Sequence, residues 1–192
     1  VSNDKVIKVR RTSPSYNLTS NYIGFNGSTS LISCTDAMDT LNFGAGDFCI
    51  ELLFEADPID SYTILRTNLW SVKVTSAVPG KGALTLFCPG SSVTDVSQVI
   101  PLGIPTYVVL ERYNGVITMY INGYRKNTNF TVANTNSFDT PTYLKVGGDD
   151  PYFKGKIYTC RITSAARYKG EFPIKELTSD QDPYWNQTGF FI

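Results

Sequence analysis

Between Gly46 and Phe54 the chain alternates large apolar side chains with small or polar ones. Phe48, Ile50, Leu52 and Phe54 fall on one face of an extended segment, and Asp47, Cys49, Glu51 and Leu53 on the other. A period of two marks a half-buried β-strand. Similar runs recur at 22–27, 30–33, 63–66, 70–74, 83–87, 106–112, 116–121, 143–148 and 155–163, with a short one at 6–9. Turn residues separate them: Asn26-Gly27, Thr67-Asn68, Pro79-Gly80, Pro89-Gly90, Asn114-Gly115 and Asn122-Gly123. Asn-Gly between two apolar runs is a strong hairpin signal, because both residues tolerate the positive φ of a tight turn. Residues 127–141 read as a long polar loop and 173–192 as a tail, with at most one helical turn near 164–168. About eleven short strands predict an all-β, two-sheet antiparallel β-sandwich. Its expected organisation is an N-terminal arm at 1–15, the sandwich at 16–172 and a C-terminal tail at 173–192.

Bulk composition narrows the function. The 192 residues are 42% hydrophobic and 18% charged, enough for one domain with a full core. Lys plus Arg and Asp plus Glu are 17 each, so nothing in the net charge favours nucleic acid. No apolar run reaches 18 residues, so membrane insertion is not expected. Histidine is absent, which excludes Ser/His/Asp and Cys/His triads. Cys34, Cys49, Cys88 and Cys160 lack short metal-ligand spacings. They read as buried free thiols, with disulfides as the alternative. Four Asn-X-Ser/Thr triplets are no more than an Asn/Thr-rich chain produces by chance.

The order of motifs suggests more than a class. Gly46-Asp47-Phe48-Cys49-Ile50-Glu51, Tyr107-Val108-Val109-Leu110-Glu111-Arg112, Met119-Tyr120-Ile121-Asn122-Gly123 and Leu144-Lys145-Val146-Gly147-Gly148 are followed by Phe153-Lys154-Gly155-Lys156-Ile157 and Arg161–Tyr168. In this order they resemble the laminin-G-like domain of the concanavalin A-like lectin/glucanase superfamily. The resemblance covers roughly residues 22–172 and implies a jelly-roll sandwich. Its Arg161–Tyr168 ending looks most like versions carried by tailed-bacteriophage virion proteins. Arg161 or Arg167 is expected to pair with Glu51 or Glu111.

The resemblance implies a non-catalytic component of a bacteriophage virion, on the capsid or tail surface. Its expected partners are other virion proteins or further copies of the chain. Lys5, Lys8, Arg10 and Arg11 in the arm, and Tyr184, Trp185, Phe190 and Phe191 in the tail, are the interface candidates, since exposed aromatics at a chain end suit anchoring. The alternative is a carbohydrate- or receptor-binding module for host-surface glycans, extracellular or at a cell surface, with Trp70, Tyr124, Tyr143 and Tyr152 as stacking candidates. No cofactor is expected. Family members often bind Ca²⁺ in loops, and Asp139, Asp149 and Asp150 are the only acids here that suit such a site. The glucanase branch uses paired carboxylates on an E-x-D-x-x-E strand, which is missing here, so hydrolysis is not expected.

Overall fold

The computed structural model describes residues 7–8, 21–58, 61–94, 100–125, 131–172 and 182–192. Of residues 7–8, 76–78 and 91–94 it describes the backbone alone. The described residues form fifteen strands and two 3-10 turns, and no α-helix.

One sheet carries β1 (Ile7–Lys8), β2 (Ile23–Asn26), β4 (Phe48–Ala56), β10 (Thr106–Tyr113), β11 (Val116–Ile121), β12 (Thr131–Ala133), β14 (Lys154–Thr163) and β15 (Thr188–Phe191). Its order is β1-β15-β14-β4-β10-β11-β12, and β2 pairs with β14 beyond the reach of β15. The second sheet carries β3 (Ile32–Cys34), β5 (Ser61–Arg66), β6 (Ser71–Val78), β7 (Lys81–Cys88), β8 (Ser91–Thr94), β9 (Ile100–Pro101) and β13 (Leu144–Val146). Its order is β3-β13-β5-β6-β7-β8, with β9 also on β7. Among the described residues all strand pairings are antiparallel except β1 with β15. The predicted two-layer jelly roll is the observed fold.

The core lies between the layers. Phe48, Ile50, Leu52 and Phe54 of β4 meet Val72, Val74, Leu84 and Leu86 of the facing sheet, within one contiguous cluster of buried side chains. The alternation of β4 therefore assigns its inward face correctly. Its other face differs from expectation: Cys49, Glu51 and Leu53 are buried too. The cover is residues 164–172, which cross the outside of the first sheet. Tyr168 and Phe172 stack at 3.6 Å and pack on Tyr107 and Tyr120.

Three further elements depart from the sequence reading. Thr131–Ala133, read as loop, forms edge strand β12 against β11. Met38–Leu41 winds into a 3-10 turn that buries Met38 and Leu41. Residues 182–192 are not a separate tail: β15 is hydrogen-bonded into the first sheet and Phe190 enters the core at 1% exposure.

Candidate binding groove on the first sheet

The covering segment is fastened by charge. Glu51 of β4 and Arg161 of β14 are register partners, and their side chains share the outer face. Arg161 donates from Nη2 to Glu51 Oε1 at 2.7 Å and from Nε to Oε2. Tyr107 Oη donates to Glu51 Oε1 at 2.7 Å, and Tyr168 Oη donates to the same oxygen. Arg167 stands 3.2 Å from Glu51 and donates to Asp182 at 2.9 Å; Arg161 also donates to Asp182. Two buried guanidinium groups thus balance two buried carboxylates. Burial would lower the Arg161 pKa, but Glu51 and Asp182 reverse this and hold it above its ordinary value. Burial first, then Glu51, push the Tyr107 and Tyr168 hydroxyls well above the usual phenol range.

Glu111 completes the fastening. Its Oε2 accepts the backbone N–H of Arg167 at 2.6 Å and of Tyr168 at 2.8 Å, and its Oε1 that of Lys169 at 2.8 Å. The pairing expected of Arg161 or Arg167 with Glu51 or Glu111 is therefore realised as ion pairs to Glu51, while Glu111 grips backbone. Arg112, one residue on, points inward. It donates to the carbonyls of Gly44, Gly46 and Asn136 at 2.7–2.8 Å and lies over the rings of Phe48 and Phe138.

Where the covering segment ends its crossing, a groove of about 450 Å³ opens. Its floor is the outward face of β10, β11 and β12, on which Tyr113, Thr118 and Tyr120 alternate with inward Ile117 and Met119. Its wall is Lys169–Glu171, and Arg125 borders it. Tyr113 is 38% exposed, and the Lys169 ammonium lies 5.3 Å from its ring centroid. The floor and wall combine aromatic surface with hydroxyl, ammonium and guanidinium donors, a combination that suits a polar ring-shaped ligand.

None of the stacking, metal or interface candidates named from the sequence is among the residues that line this groove. Trp70, expected to stack on sugar, is 2% exposed in the core and is corrected: the Thr67–Trp70 turn, closed by Thr67 Oγ1 on the Trp70 N–H at 2.9 Å, sets the indole between the sheets. Tyr124 is exposed at the turn after β11, whereas Tyr143 and Tyr152 are half-buried on either side of β13 in the other sheet. The three do not share a surface. Asp149 is ion-paired with Lys145 and Arg66, Asp150 lies 3.9 Å from Arg66, and exposed Asp139 accepts from Ser137. Among the described residues no three His, Cys, Asp or Glu side chains converge as metal ligands.

Lys5, Arg10 and Arg11 lie outside the described residues, and of Lys8 the backbone in β1 is described. The aromatic tail packs on its own chain, against the expectation of free anchors. Phe190 is core, Trp185 meets Phe191 edge-on at 5.6 Å, and Arg167 lies 5.1 Å over the Tyr184 ring. The two acids of β4 are both engaged. Glu51 is sealed in the ion network, and Glu55 is held by Lys156 and Tyr158 at 2.9 and 2.7 Å.

No protein-family model matches this sequence, and no curated protein sequence matches it. Solved structures do. A Bacteroides ovatus protein to which carbohydrate binding has been assigned without proof superposes with a TM-score of 0.63 at 16% identity, over 88% of this chain and 50% of that one. A heptameric SAP-like pentraxin from Limulus polyphemus gives 0.56 at 12% identity, over 80% of each chain. Domains LG4-5 of the mouse laminin α1 chain give 0.54 at 14% identity, over 79% of this chain and 44% of that one. The chain thus spans half or less of two of these three. The fold is the concanavalin A-like jelly-roll β-sandwich.

Proposed function

We propose that this domain is a carbohydrate-binding module whose ligand lies in the groove of the first sheet. One observation carries the reading: the groove sets the half-open ring of Tyr113 beside hydroxyl, ammonium and guanidinium donors on a rigid strand floor. Aromatic faces stack on the C–H face of a pyranose while the donors take its hydroxyls. The same assignment, itself unproven, of the Bacteroides protein of this fold agrees with it. A non-catalytic role accords with the acids of this face, which are engaged by cations or amides. A bacteriophage virion is retained as the proposed setting on the motif resemblance at Arg161–Tyr168 alone, with host-surface glycan as the partner; the groove reading does not depend on it.

The test is a glycan array with the purified chain and its Tyr113→Ala variant. Selective binding that the variant loses is expected. Binding that survives Tyr113→Ala would move the site elsewhere, and absence of binding to every glycan would end the reading.

A further inference from the structure

We infer that the groove selects an acidic glycan, one carrying a carboxylate or sulfate on its sugar ring. This rests on the groove being a glycan site. The argument is the state of the charged groups around it. Lys169 on the wall and Arg125 on the border make no ion pair among the described residues, although the other arginines and lysines near the outer face of this sheet, Lys156, Arg161 and Arg167, are all paired with acids. The acids of the groove are not their partners in the structure. Glu111 has both oxygens occupied by three backbone N–H donors, which keep it directed at the covering segment. Glu171 sits on the exposed side of the wall, where its Oε1 accepts the Arg125 backbone N–H at 3.1 Å, so this acid engages the main chain of Arg125 and not its guanidinium.

The two cations therefore stand in the groove lining without an ion-paired acid among the described residues, while the carboxylates of Glu111 and Glu171 beside them are turned to main-chain N–H groups. Lys169 is fixed at its backbone by Glu111 and by a left-handed conformation, φ 55°, which turns its side chain back over Tyr113. An ammonium over a tyrosine face keeps its remaining N–H donors for a further acceptor. A neutral sugar would cover the floor and leave both cations unanswered. A ring bearing an anionic group would stack on Tyr113 and take charge-assisted hydrogen bonds from Lys169 and Arg125, breaking no existing ion pair. Arg125 suits a planar carboxylate or a sulfate by its forked geometry.

The experiment is the glycan array run with uronate-, sialate- and sulfate-bearing glycans beside their neutral counterparts. It uses the unaltered chain, Lys169→Met and Arg125→Gln, at low and high salt. Acidic glycans should dominate the hits. Each substitution should weaken the strongest hit by about fivefold or more, and added salt should weaken it further, since exposed pairs are screened. The salt series on the unaltered chain keeps the test valid if a variant folds poorly. Hits that are neutral, or that ignore salt and both substitutions while still requiring Tyr113, would overturn the acidic preference and leave the glycan site standing. No hits at all would overturn both.

Discussion

Glu51 Oε1 and Arg161 Nη2 stand 2.7 Å apart on what a two-sheet sandwich should present as its outer surface, with both side chains at 1% exposure or less. An ion pair this buried is weak evidence of net stabilisation, because desolvating two charges costs about as much as their attraction returns. What it secures is placement. Through Asp182, Arg167 and Tyr168 it holds two distant stretches of chain against the first sheet.

Removing one member should expose that asymmetry. Glu51→Gln leaves Arg161 with Asp182 alone and is expected to cost about 3–5 kcal/mol, since an unpaired buried charge is far costlier than a lost pair. Chemical denaturation would measure it. A loss below about 1 kcal/mol would mean that the network is hydrated.

The C-terminal strand should behave as core. Phe190→Ala is expected to cost about 3–5 kcal/mol, the usual range for an emptied phenylalanine site. Deleting residues 182–192 should yield insoluble or unfolded protein, as it removes β15 and strips Arg161 of Asp182. A truncated chain that melts like the full one would contradict this.

Stability should decline in alkali. Tyr107 and Tyr168 have hydroxyl pKa values raised by burial and by Glu51, and Cys49 and Cys160 have thiols raised by burial first. In the unfolded chain thiols ionise near about 8.5 and phenols near about 10. Above those values the unfolded state sheds protons that the folded state retains, so stability is complete below about pH 8 and falls as pH rises. Urea midpoints at pH 7, 9 and 10.5 would show the slope, and Tyr107→Phe should flatten its upper part.

Thiol labelling should divide the cysteines. Cys49 and Cys160 are fully buried, whereas Cys34 is half-buried. A disulfide reagent on native protein should modify Cys34 and leave Cys49 and Cys160 untouched until denaturant is added. Mass spectrometry of the labelled peptides reads this directly.

Trp70 separates core from site. Trp70→Phe should lower the melting temperature and leave glycan affinity unchanged, while Tyr113→Ala should do the reverse. Equal loss of affinity in both would mean that the groove depends on core packing at a distance.

Much of the architecture is legible in the chain. Alternation along Phe48–Phe54 and Val116–Ile121 gives the inward faces, and Asn114-Gly115 gives the hairpin between β10 and β11. The outward set Tyr113, Thr118 and Tyr120 was available from the same alternation. Nothing local distinguishes it from any solvent-facing row, whereas isolated aromatics such as Trp70 and Tyr124 stand out in the chain. Phe190 and Phe191 read as anchors for a related reason: an apolar pair in a polar, Pro-containing stretch has no visible partner until the strand that receives it is known.

A period of two is a local property, set by the pleat of an extended backbone, and so strands, turns and facing sides follow from sequence order alone. Burial of the outer face is not local. It depends on Glu51 meeting Arg161 across 110 residues and on Glu111 reaching the N–H groups of 167–169, contacts that exist only once the sheet has set β4, β10 and β14 side by side. The groove arises from those same long-range contacts, because it is the folded-back segment, held by charge, that turns an ordinary sheet face into a walled cleft.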